Sequence, residues 1–281
     1  MIGDFIWTAF DYIGEASIGW CGYPLDKRIF PWNHANCGDL NLSGERRPQS
    51  YLRETLWSDA PVSHIVVTPP VPSFPLNPDK ADWSVWNFPD VVDHWNFPGY
   101  EGKKMTVSVY SNCEQVELFL NGESLGKQEN TADKKNTLVW EVPYAHGILK
   151  AVSYNKGGEV GTATLESAGK VEKIRLSADR TEIVADGNDL SYITLELVDS
   201  KGIRNQLAEE LVAFSIEGDA TIEGVGNANP MSIESFVANS RKTWRGSNLL
   251  VVRSGKSSGR IIVTATVKAL PVASITITQK K

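Results

Sequence analysis

Apolar and polar residues alternate with a period of two along most of the chain beyond residue 100. In KKMTVSVYSNCEQVELFLNGESLGKQ the apolar positions Val107 and Val109, then Val116, Leu118 and Leu120, fall on one side, and the run turns at Asn121-Gly122. Such alternation marks a half-buried strand, and Asn-Gly is the dipeptide best suited to a tight hairpin. TLVWEVPY, GILKAVSYN and EVGTATLES repeat the pattern at short intervals broken by Gly, Pro and Asn, which predicts a small antiparallel sandwich. A second run starts near Lys173. IRLSADRTEIVADGNDLSYITLELVDSKG predicts two or three strands around the turn Ala185-Asp186-Gly187, and VAFSIEGDA, NLLVVRSG, RIIVTATVK and ASITITQ supply the others. No helical period separates these strands, so two consecutive β-sandwiches are expected over residues 62–169 and 170–281.

The first sixty residues have a different texture. Gly3 to Trp7 reads as a short buried strand, a long irregular loop follows, and RRPQSYLRETLW carries a helix signal: Pro48 suits a first turn, and Tyr51, Leu52, Thr55 and Leu56 share helical spacing. Strand, loop and helix make a β/α unit, which is stable as a member of a larger parallel sheet or barrel. Behind it VTPPVPSFPLNPDK is too proline-rich for a helix or a central strand and reads as linker and edge. The lone strand is expected to leave unpaired backbone and apolar area, so that residues 1–60 are partly disordered, pack non-natively or dimerise.

Composition narrows the function classes. The 281 residues are 41% hydrophobic and 22% charged, an ordinary globular mixture, and the net charge of -6 gives no positive footprint for nucleic acid or for an anionic membrane surface. No apolar run has the length of a membrane helix, and the N-terminus lacks the order of a signal peptide. Cys21, Cys37 and Cys113 form no CxxC pair; a Cys21 to Cys37 bridge is open, with three free thiols the default. His34, His64, His94 and His146 have no metal-ligand spacing, so neither metal nor cofactor is expected. There is no Gly-x-Ser-x-Gly elbow for a hydrolase triad, and the glycines of GVGNANP fit a tight turn with positive φ. Seven of the nine tryptophans lie in the first hundred residues.

GDFIWTAFDYIGEASIGW followed by CGDLNLSGERRPQSYLRETLW resembles the last β/α unit of the catalytic (β/α)8 barrel in family-two glycoside hydrolases, especially β-galactosidase-like enzymes of gut Bacteroidetes. DWSVWNFPD, HWNFPG and VSVYSNCEQVELFLNGESLG resemble the Ig-like domain that follows the barrel. Residues 170–281, with GVGNANP, resemble a further C-terminal Ig-like domain. The fold class implied is mainly β: residues 1–61 as the C-terminal remnant of the barrel, then Ig-like sandwiches at 62–169 and 170–281. The implied function is that of the C-terminal part of a glycosidase. It would act on a β-linked oligosaccharide once joined to the barrel segment N-terminal to it, in the periplasm or outside the cell.

Retaining glycosidases use two carboxylates about 5 to 5.5 Å apart. In the family both are glutamates on earlier barrel strands, so no position here inherits either role and the chain alone is expected to be inactive. Glu15, just past the strand's end, reads as a structural hydrogen-bonding group. The resemblance makes Trp7 a wall of the sugar subsite, where an indole packs on a sugar's C–H face and its N–H can meet a hydroxyl, rather than barrel core. Asp11 and Asp39 are substrate-binding candidates, receiving sugar hydroxyls or orienting neighbours, against the commoner capping of a turn. Trp20, Trp32 and His34 lie on the loop over the site mouth, with loop packing as the default. Trp83, Trp86 and Trp95 are expected to cement an interface against the helix bearing Tyr51 and Trp57 rather than to stack on glycan. The alternative from another class is a noncatalytic carbohydrate-binding or adhesive protein built from Ig-like modules.

Overall fold

A computed structural model of the chain describes residues 7–15, 30–73 and 89–281. The chain divides into two compact units, Met1–Ser167 and Ala168–Lys281. The described residues are mainly strand.

In the first unit β1 (Ser63–Val67), β2 (Lys104–Ser111) and β5 (Thr137–Pro143) form one sheet in the order β1-β2-β5. The facing sheet runs β4-β3-β6-β7, from β3 (Gln115–Leu120), β4 (Glu123–Glu129), β6 (Ile148–Asn155) and β7 (Gly158–Glu166). All pairs are antiparallel. The period of two does its work here. Val107, Val109, Leu138, Trp140 and Val142 from one sheet meet Val116, Leu118, Leu149 and Ala151 from the other. Each such aliphatic side chain contributes roughly 1.5–3 kcal/mol by leaving water. Asn121 and Gly122 take φ of 52° and 89° between β3 and β4, the two left-handed residues that the hairpin needs.

The chain's other side of that first sheet is covered as well. Helix α1 (Ser50–Trp57) lays Tyr51 and Leu52 against Val66, Tyr110 and Val91. Strand β1 therefore buries Ile65, Val66 and Val67 in succession, just ahead of the proline-rich run, with no alternation to mark it. Asn136, left-handed at φ 60°, donates to Thr55 Oγ1 at 3.0 Å, and Asn112 donates to the carbonyls of Ser58 and Ala60, so the helix end is tied to the sandwich. Trp95 corrects one expectation. It sits fully buried in the sandwich core, edge-on to Phe97 and Tyr144 with its indole N–H on the Ala145 carbonyl, and not against the helix. Trp57 is 76% exposed. The helix packs instead on Val66, Val91 and Tyr110. Trp83 and Trp86 lie outside the described residues.

The second unit packs β12-β14-β10-β8 against β13-β11-β15-β16-β9. The members are β8 (Lys173–Ala178), β9 (Glu182–Val184), β10 (Leu190–Val198), β11 (Leu211–Glu217), β12 (Ala220–Gly226), β13 (Ser240–Lys242), β14 (Ser247–Ser254), β15 (Gly259–Val267) and β16 (Ala273–Lys280). Ile193, Leu195, Leu197, Leu250 and Val252 face Val212, Phe214, Ile261, Val263 and Ile277. GVGNANP departs from expectation: Gly224 and Gly226 belong to β12, where the register shifts between Ile222 and Gly224, and the positive φ of 57° falls on Ala228. Asn227 and Asn229 shape that turn by accepting the backbone N–H groups of Asn229 and Met231.

Candidate functional site

Residues 8–14 are paired by the loop that follows them. Asp39 N–H donates to Thr8 O, Leu40 N–H to Ala9 O, Asp11 N–H to Leu40 O and Ala35 N–H to Tyr12 O, all within 2.8–3.0 Å. The contact is parallel at Phe10 and Leu40 and antiparallel at Ile13 and His34. This pairing supplies backbone partners that the sequence expectation left open; the part of the strand before Trp7 lies outside the described residues. Gly38 makes the close approach possible, since a Cβ there would lie 2.2 Å from the Asp11 nitrogen.

Trp7 stands at the start of this segment with 60% of its surface open, and the Trp7–Thr8 peptide is cis. Its indole N–H donates to the Tyr12 hydroxyl at 3.1 Å, and the Tyr12 hydroxyl donates to Glu15 Oε2. The two rings meet edge to face, centroids 6.3 Å apart at 85°. Partial burial and the bond to Glu15 push the Tyr12 hydroxyl up to a pKa of about 12, so it remains a donor.

The two candidate aspartates are both engaged with arginines. Asp11 is buried, accepting the Cys37 N–H at 3.2 Å on Oδ1 and the Arg47 guanidinium at 2.5 Å on Oδ2. Asp39 pairs with Arg53 through both oxygens, with Nε to Oδ2 at 3.0 Å. The Asp11 side chain is thus wholly buried against Arg47, and Asp39 is tied to Arg53 of helix α1. Arg47 and Arg53 were not singled out from the sequence; the only signal was their place in the RRPQSYLRETLW run. Cys37 and Cys113 are free, buried thiols, and burial followed by the neighbouring Asp11 charge raises the Cys37 pKa. Cys21 and Trp20 lie outside the described residues. Trp32 and His34 are buried, the Trp32 indole N–H donating to the His34 carbonyl at 2.7 Å, so both pack the loop. Among the described residues no group of three or more His, Cys, Asp or Glu side chains is arranged to hold a metal ion.

A bridged segment with an open tryptophan, a loop and a helix thus precede two β-sandwiches. Residues 174–276 match the family described as glycoside hydrolase family 2 C-terminal domain 5, and residues 102–161 match a domain of unknown function, DUF4982. The chain belongs to glycoside hydrolase family 2 and corresponds to the C-terminal part of its larger members. It is 32% identical over 280 residues to a β-galactosidase of Bacteroides ovatus, covering 99% of this chain and 28% of that protein. A β-glucuronidase of Formosa agariphila is 30% identical over 210 residues, covering 69% of this chain and 20% of that protein. Among solved structures, a glycosyl hydrolase family 2 member from Bacteroides cellulosilyticus superposes with a TM-score of 0.98 at 99% identity, covering all of this chain and 36% of the other. The chain therefore spans about a third or less of the length of these relatives.

Proposed function

We propose that this chain is the C-terminal portion of a β-glycosidase that releases sugars from β-galactosides. It completes the sugar site with the face of Trp7 and contributes no catalytic carboxylate. The observation that carries the reading is the similarity to the Bacteroides ovatus β-galactosidase along 99% of the chain, and the exposure of Trp7 supports the placement of the subsite. Asp11 and Asp39 act at one remove. Through Arg47 and Arg53 they hold the 33–40 loop and α1 beside the strand, so that Trp7 stands on a fixed base. The carboxylates near Trp7 are occupied, Glu15 by the Tyr12 hydroxyl and Asp11 by Arg47, and a double displacement needs a matched pair.

The test uses the longer Bacteroides cellulosilyticus protein, 99% identical over this chain, with 4-nitrophenyl β-galactoside and 4-nitrophenyl β-glucuronide as alternative substrates. Hydrolysis of the galactoside in preference, with Trp7→Ala lowering kcat/KM by about 100-fold, or about 2.7 kcal/mol of lost transition-state binding, is the expected result. Preference for the glucuronide would change the substrate class, and an unaltered kcat/KM in Trp7→Ala would remove Trp7 from the site.

A further inference from the structure

The polarity of the hydrogen bonds around Trp7 is fixed by chemistry. An indole N–H only donates and an ionised carboxylate only accepts. With Trp7 donating to Tyr12 Oη and Tyr12 beside Glu15 Oε2, the one arrangement that satisfies all three groups runs from indole N–H to phenol oxygen, and from phenol O–H to carboxylate. The single donor of Tyr12 and the single donor of Trp7 are then both used. The indole N–H, which the sequence expectation offered to a sugar hydroxyl, thus has an internal partner.

We propose that Tyr12 is a positioning residue. Its hydroxyl, anchored on Glu15, holds the Trp7 ring by its N–H edge, so that the subsite offers a sugar an aromatic face and no hydrogen-bond donor from Trp7. The edge-to-face packing of the two rings, 85° between planes, stiffens the same rotamer. This inference rests on the reading of Trp7 as a sugar-binding residue. Its consequence is one of specificity: the group lying over Trp7 is recognised by its C–H face, and a ligand hydroxyl directed at the indole nitrogen finds the donor already taken.

The experiment is a double-mutant cycle in the longer Bacteroides cellulosilyticus protein, with 4-nitrophenyl β-galactoside and 4-nitrophenyl β-glucuronide assayed separately. Tyr12→Phe keeps the ring and removes only the hydroxyl. On the substrate that is turned over, KM is expected to rise about 5- to 10-fold with kcat within about twofold, because the lost order weakens binding of substrate and transition state alike. Glu15→Gln, which keeps an accepting oxygen, should have a smaller effect than Glu15→Ala. In the Trp7→Ala background Tyr12→Phe should change KM by less than about twofold, since the group it positions is gone. A purely structural Tyr12 would instead give the same loss with or without Trp7. Additive effects, or an unchanged KM in Tyr12→Phe, overturn the inference while leaving the glycosidase reading in place. No turnover of either substrate by the unsubstituted protein overturns both.

Discussion

Asp11 shows how one side chain can hold together pieces far apart in sequence. Its carboxylate receives the Cys37 N–H from the loop and the Arg47 guanidinium from just before the helix, and the side chain is wholly buried, with Arg47 only 12% exposed. A buried pair of this kind is a weak net stabiliser, but removing one partner leaves a charge without compensation. Asp11→Ala should therefore destabilise the first unit by about 3 kcal/mol, read as the shift of its urea midpoint; a loss below about 1 kcal/mol would show that Arg47 finds another partner. Asp11 itself was legible in the Asp-Tyr-x-Gly-Glu run, as was the tryptophan four residues before it. Its partner was not, because Arg47 lies 36 residues away and nothing in a sequence period couples the two. The same holds for Asp39 and Arg53: a loop aspartate reads as a turn cap until the helix carrying the arginine is set beside it.

At the scale of elements, the attachment of α1 to β1 is a stack. The Arg46 guanidinium lies 3.9 Å from the centre of the Tyr51 ring, and the His64 imidazole stacks on Tyr51 at 3.5 Å and 14°. Burial drives the His64 pKa down to about 4. The Arg46 charge adds to this, while Asp93 and Glu54 oppose it. With an unfolded value near 6.5, the unfolded chain takes up a proton between pH 6.5 and 4 that the folded chain refuses. This contribution to stability is present above pH 6.5 and is lost as pH falls through that window. The first unit should melt at lower temperature at pH 4.5 than at pH 7, and His64→Phe, which keeps a stacking ring without a titrating group, should flatten the difference. An identical pH dependence in His64→Phe would assign it to the carboxylates instead. The elements most legible in the sequence were those with one wet face, such as β5 and β10, and the Asn121-Gly122 hairpin. Strand β1 escaped because both its faces are covered, one by the opposing sheet and one by α1, which erases alternation. Strand β13 escaped for another reason: it is three residues long, and its buried side chain is Arg241, whose two terminal nitrogens donate to the carbonyls of Val225 and Glu234 and to Ser232 Oγ.

For the whole molecule, the two sandwiches were readable from spacing alone, while the place of the first sixty residues came from resemblance, since a single β/α unit has no period of its own to reveal the rest of a barrel. The chemistry divides along the same line. This chain presents an exposed tryptophan, the residue proposed to face the sugar, on a segment paired to the following loop, whereas its nearby carboxylates are committed to Tyr12, Arg47 and Arg53. The most direct test is a side-by-side assay of this 281-residue chain and of the longer Bacteroides cellulosilyticus protein on 4-nitrophenyl β-galactoside. Turnover by the longer protein and none by the chain alone is the predicted result; turnover by the chain alone, or none by the longer protein, would contradict it.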